Sequence, residues 1–191
     1  EIVASIPVDN STPRGTPGDP GLNEGHLLFV GDLGPRKNIS FLLETYALLP
    51  AEIQAKHGLR ICGHPGPHLR RYQRMAGSLG IQGQVEFAGY VPDEDLPAIY
   101  RNAALLLYPS LEEGYGYPPL EAMALGTPAV VSDQGALPEV AGTAGAVVAP
   151  LDPQLFARSV ARLLTDRSRY NEAQQRGLEG VSRTTWETFA G

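Results

Sequence analysis

Six short apolar runs, separated by amphipathic segments, constrain the fold of this chain more than any other feature of its sequence. They are HLLFVG (26–31), LRICG (59–63), VEFAG (85–89), ALLLYPS (104–110), PAVVS (128–132) and AGAVVA (144–149). Each has the length of a strand and is close to continuously apolar, as parallel strands covered on both faces must be. The intervening segments carry helical spacing. Ile39, Leu42, Leu43 and Tyr46 share one face behind Asn38 as N-cap. Phe156, Val160, Leu163 and Leu164 share another, opened by Asp152 as cap and Pro153 as first helical residue. Helices are also predicted over 66–79, 93–102, 118–125 and about 166–182. Alternation of this kind predicts a doubly wound α/β domain with helices on both faces of a parallel sheet. Right-handed crossovers then gather the loops that follow the strands at one sheet edge, where ligands of such folds bind.

Bulk properties narrow the function. The chain has 191 residues and a net charge of -6, with Arg and Lys scattered rather than massed. A duplex-binding face needs clustered basic residues, so nucleic acid is not an expected partner. No apolar run approaches the ~20 residues that span a bilayer. Cys62 is the only cysteine, which excludes an internal disulfide and fits a reducing, cytoplasmic setting. Residues 10–25, rich in Pro, Gly and polar side chains, read as a flexible linker, with one short strand or crossover before them at 2–8. Residues 1–25 are therefore expected to be an interdomain segment and 26–191 a ligand-binding domain. The opening at Glu1 suggests a piece of something longer.

Three strand-end loops carry the chemistry. The first reads D-L-G-P-R-K-N (32–38) and sets Arg36 and Lys37 beside a helix start, where free amides already favour an anion. A bidentate guanidinium and a point-charge ammonium suit a diphosphate there. Two solvated charges are the plainer alternative. The second reads L-E-E-G-Y-G-Y-P-P-L-E-A (111–122), in which Gly114 and Gly116 let the backbone approach a ligand. Seven residues separate Glu113 from Glu121, one acid in the loop and one in the first turn of the next helix. Two acids in distinct surroundings can take distinct roles. The plainer alternative is a cap from Glu121 and a solvated Glu112–Glu113 pair, which leaves two glycines around an aromatic unexplained. The third loop, D-Q-G-A-L-P-E-V (133–140), borders the same cleft and is accounted for equally well as a structural turn.

The order F-V-G-x-L-x-P-R-K-N, then G-Y-V-x4-L-x3-Y-x2-A, then P-S-x2-E-G-Y-G-Y-P-x2-E-A-M-A-x-G-x-P-A-V-V-S resembles the GT-B retaining glycosyltransferases. The likeness is to the large group that includes sucrose synthase, sucrose-phosphate synthase and bacterial mannosyltransferases, and it runs from about His26 to Trp186, the Rossmann-like C-terminal half. The resemblance implies a donor-binding domain for a nucleotide diphosphate sugar, with transfer of a mannosyl or glucosyl group to an acceptor hydroxyl. It implies that Glu121 binds the ribose hydroxyls and that Glu113 contacts the donor sugar. Amides of Gly114, Tyr115 and Gly116 would hold sugar and diphosphate. Lys37 and Arg36 would neutralise the diphosphate without a metal or cofactor, and Tyr90, Val91 and Pro92 would line the base pocket. The P-R-K-N form favours GDP-mannose over UDP-glucose. Asp32 departs from the pattern, since many members carry Arg there. The acceptor, a saccharide or lipid-linked glycan, belongs to an N-terminal domain missing from this chain, so the fragment is not expected to transfer sugar alone. Any peripheral attachment to a membrane would come through that domain.

Other features point away from chemistry. His64 and His68 flank Pro-Gly-Pro, which denies them the helical spacing of a metal pair. His26 and His57 read as strand-start and loop residues, Trp186 as a packing anchor, and Tyr100 and Tyr108 as core residues with a reachable hydroxyl. Ser110 lacks the context of a hydrolase nucleophile. Two competing functions are a sugar-nucleotide epimerase, which would lack the EGYGYP loop, and a non-catalytic binding or interaction module that has kept the fold.

Overall fold

A computed structural model describes residues 25–183. All six apolar runs are strands: β1 (His26–Val30), β2 (Leu59–Cys62), β3 (Val85–Gly89), β4 (Ala103–Tyr108), β5 (Ala129–Ser132) and β6 (Val147–Ala149). They form one parallel sheet in the order β3-β2-β1-β4-β5-β6. β4, at the centre, and β5 beside it are buried along their whole length, in keeping with their nearly continuous apolar sequences. The chain winds outward in one direction from β1 and in the other from β4. The crevice outside the carboxyl ends of those two neighbours is therefore the switch point at which a ligand site is expected.

Helices α1 (Ile39–Ala47), α3 (Leu69–Ser78) and α6 (Pro153–Thr165) pack together over one face, while α4 (Leu96–Arg101), α5 (Tyr117–Ala124) and α7 (Arg167–Arg183) cover the other. The short α2 (Ala51–Lys56) leads into β2. Asp152 caps α6 as its sequence requires, its Oδ1 accepting from Leu155 N at 2.9 Å ahead of Pro153. Phe41 meets Phe156 edge-on at 5.5 Å and 87°, joining α1 to α6. The carboxyl ends of β1 and β2 approach so closely that a Cβ on Gly63, at φ +145°, would lie 1.8 Å from the Gly31 carbonyl oxygen. Only glycine fits there.

Several elements differ from expectation. Asn38 does not cap α1 with its side chain. It sits in the left-handed region at φ 57°, and its N–H closes a 3₁₀ turn, Pro35–Lys37, onto the Pro35 carbonyl. The predicted 66–79 helix begins only at Leu69, after Gly66 turns left-handed at φ +55°. The 93–102 helix begins at Leu96, after a turn in which the Asp95 amide donates to the Pro92 carbonyl. α5 starts at Tyr117, one residue early, so Glu121 lies in its second turn. α2 and a wide π turn at Pro138–Gly142 have no counterpart among the expected elements. The linker at 10–25 falls almost wholly outside the described residues, as do the strand at 2–8 and Trp186. Among the described residues no helix is long and apolar enough to cross a membrane.

Candidate functional site

The loops after β1 and β4 meet at the switch point and are stitched by backbone. Leu111 N donates to Arg36 O at 2.8 Å, and Ser110 Oγ lies 3.3 Å from the same oxygen. Lys37 and Glu113 converge there from opposite loops. Both side chains are enclosed, 6% and 8% exposed, and the Lys37 ammonium pairs directly with Glu113 Oε1. Lys37 Nζ also donates to the Tyr108 hydroxyl at 2.5 Å. The Tyr108 hydroxyl donates to Glu113 Oε1 at 3.1 Å, and Ser110 Oγ donates to that oxygen at 2.7 Å. Three donors thus share one carboxylate oxygen. The other, Oε2, meets Arg36 Nη1 at 3.5 Å. Arg36 itself is half exposed and also reaches Asp32 at 3.4 Å.

This arrangement fixes the charge of Glu113. Burial alone pushes its carboxyl upward, but the hydrogen bonds from Lys37, Ser110 and Tyr108, with the Lys37 charge, outweigh burial and hold it below its ordinary value. Burial, together with the neighbouring Glu113 charge, drives Tyr108 far up, so its hydroxyl keeps its proton. The ring of Tyr108 stacks on Phe29 of β1 at 5.7 Å, which anchors the hydroxyl.

Glu121 has the opposite environment. It projects from α5, is buried, and accepts from the Tyr100 hydroxyl at 2.8 Å through Oε2. Burial raises its carboxyl above the ordinary range, Tyr100 opposes the rise, and the charge of Asp93 in the loop after β3 adds to it. Glu121 is therefore not a helix cap, and the two acids are tuned apart.

Gly114 faces open space, and a Cβ added to it would meet nothing within 4 Å, whereas Gly116 stands left-handed at φ +84° as the residue before α5. Only Gly116 carries a conformational requirement. Tyr115 leans on Tyr117, ring centroids 4.6 Å apart. The third loop backs this wall: buried Leu137 would be 2.9 Å from a Cβ on Gly116, and Gly135 lies against the backbone of Glu112 and Glu113. Ser132 Oγ donates to Ser110 O at 2.5 Å. Val91 and Pro92 are half-buried beyond β3, and Tyr90 is 67% exposed. Among the described contacts these three do not touch the Lys37–Glu113 cluster.

Sequence reasoning missed Tyr108, Ser110 and Tyr100 as site residues. The two tyrosines read as core because their rings are core, and only the fold aims their hydroxyls at the two acids. One signal was available: β4 runs on into Tyr-Pro-Ser, polar groups at the carboxyl end of a central strand. Among the described residues no group of three or more His, Cys, Asp or Glu is placed to hold a metal ion.

The family profile described as Glycosyl transferases group 1 matches residues 19–179. O-antigen chain mannosyltransferase B of Escherichia coli is 39% identical over 164 residues, 86% of this chain and 43% of its own length. The chain thus spans less than half of that relative. Among solved structures, sucrose-phosphate synthase from Thermosynechococcus elongatus superimposes with a TM-score of 0.77 at 28% identity, covering 88% of this chain and 43% of that one. The C-terminal domain of the group 1 glycosyl transferase LpcC from Francisella tularensis shares the fold, with a TM-score of 0.73 at 20% identity over 84% of this chain and 87% of that one.

Proposed function

The chain belongs to the group 1 glycosyl transferases, with the fold of the C-terminal domain of a GT-B enzyme, and we propose that it holds the nucleotide diphosphate sugar in a hexosyl transfer that retains anomeric configuration. The observation that carries this reading is the Lys37–Glu113 cluster at the β1/β4 switch point. An ammonium has three donors. Two are engaged by Glu113 and Tyr108, which leaves one for a phosphate oxygen. Arg36, held by two long surface contacts, is free to turn to the same diphosphate. Together they stabilise charge on the leaving diphosphate without a metal. Glu121 spends Oε2 on Tyr100 and keeps Oε1 for the ribose hydroxyls. The amides of Gly114 to Gly116 reach sugar and diphosphate, and Tyr90, Val91 and Pro92 line the base.

A mannosyl donor is the first choice, supported by the name of the 39% identical relative and by the P-R-K-N loop. The acceptor, a saccharide or lipid-linked glycan, is assigned to a further domain of the whole enzyme. The test of the diphosphate role is a comparison of GDP with GMP. The wild-type chain binds GDP more tightly, and Lys37→Met removes most of that preference. An unchanged preference in Lys37→Met overturns the role of Lys37 as phosphate ligand.

A further inference from the structure

The Glu113 carboxylate is lopsided. Lys37 Nζ, Tyr108 Oη and Ser110 Oγ all donate to Oε1, while Oε2 is met only by the half-exposed Arg36 among the described residues. An oxygen that accepts three donors has no lone pair left for a ligand, because a whole carboxylate offers about four acceptor sites. We infer that Tyr108 and Ser110 are positioning residues for the donor sugar: they lock Glu113 with Oε1 turned inward, so that Oε2 alone accepts a sugar hydroxyl once Arg36 moves to the diphosphate.

Two further observations agree. Tyr108 is the last residue of the central strand β4 and its ring is fixed against Phe29, so its hydroxyl cannot follow a moving carboxylate. Ser110 is buried, and Ser132 Oγ holds its carbonyl at 2.5 Å, which fixes the start of the loop that carries Glu113. The lock also decides what Glu113 does chemically. Three donors on one oxygen favour the ionised form, so Glu113 acts as an acceptor and not as a proton donor to the leaving group. Its single open oxygen makes it selective for one hydroxyl rather than for a bidentate pair. Tyr108 and Ser110 themselves touch no substrate in this scheme.

This inference rests on the donor-site reading, and its test separates the two. Tyr108→Phe, which keeps the ring, and Ser110→Ala are titrated with GDP and GDP-mannose, and with UDP and UDP-glucose, beside the wild-type chain. The readout is the ratio of the sugar-nucleotide Kd to the nucleotide Kd, for the pair that the wild type binds. Loss of one hydrogen bond that orients an acceptor raises that ratio about three- to tenfold in each variant, while the nucleotide Kd stays within about twofold. The sugar ratio in Tyr108→Phe also deteriorates at a higher pH on acidification, because Glu113 loses a donor that favours its charge. A purely structural role would weaken nucleotide and sugar nucleotide alike and leave the pH profile in place. Unchanged ratios with intact nucleotide binding overturn the inference and leave the donor site standing. Failure of the wild type to bind any nucleotide overturns the donor site and this inference with it.

Discussion

Removing the Lys37 ammonium strands a buried carboxylate, and the cost of doing so should depend on pH. Breaking a buried ion pair from one side costs ~3–5 kcal/mol. Here Glu113 keeps Ser110 at 2.7 Å, Tyr108 at 3.1 Å and Arg36 at 3.5 Å. Lys37→Met is therefore expected to cost somewhat less than that range, about 2–3 kcal/mol at pH 8. In the wild type the folded-state pKa of Glu113 is depressed, so its contribution to stability is present above the unfolded value of about 4.3 and lost as pH falls through the folded value. In Lys37→Met burial is opposed chiefly by the Ser110 and Tyr108 hydrogen bonds, and the folded value is expected to rise above the unfolded one. That variant then gains stability on acidification while the wild type loses it. The gap between them shrinks to on the order of 1 kcal/mol or less at pH 4. Urea unfolding of wild type, Lys37→Met, Glu113→Gln and the double variant at pH 4 and pH 8 reads this directly. The double variant should be more stable than the sum of the single effects predicts, by about 1.5–2.5 kcal/mol at pH 8. Equal gaps at both pH values, or additivity within about 0.5 kcal/mol, would show that Glu113 does not depend on the Lys37 charge.

Other outcomes follow from the same geometry. Gly63→Ala, whose Cβ would meet the Gly31 carbonyl oxygen at 1.8 Å, should lower the unfolding midpoint far more than Gly66→Ala, which is left-handed at φ +55° but faces open space. Scanning calorimetry should give more than about 2 kcal/mol for the first and about 1 kcal/mol for the second. Because burial raises Glu121, nucleotide affinity should decline on acidification from a pH above the ordinary carboxylate range. Tyr100→Phe, which removes the opposing hydrogen bond, should move that decline to still higher pH; titrations between pH 5 and 8 decide it. Burial also raises the Cys62 thiol, so alkylation by iodoacetamide should be slow in the native chain and rapid in urea.

Fold and site were unequally legible in the sequence. All six strands were readable as short, mostly apolar runs, most clearly where a parallel strand is covered on both faces, as Leu105, Leu106 and Leu107 in β4 are. Helix starts were less readable where turn chemistry competed: Pro92 captured the Asp95 amide, and Asn38 took a left-handed backbone instead of offering its side chain. α2, with six residues and Ile53 as its one buried side chain, has too little periodicity to be seen. The acids Glu113 and Glu121 stood out through their spacing and the glycines between them. Tyr100, Tyr108 and Ser110 did not, because their role depends on hydroxyl direction, which the fold sets and local pattern does not.

Whether the β1/β4 crevice holds a nucleotide diphosphate sugar, as proposed, is decided by calorimetric titration of the chain with GDP, UDP and ADP, without added metal and beside Glu121→Ala. The expected result is selective binding of one diphosphate, weakened about 10- to 100-fold in Glu121→Ala by loss of charged hydrogen bonds to the ribose. Binding of none of the three, or binding indifferent to Glu121→Ala, would contradict it.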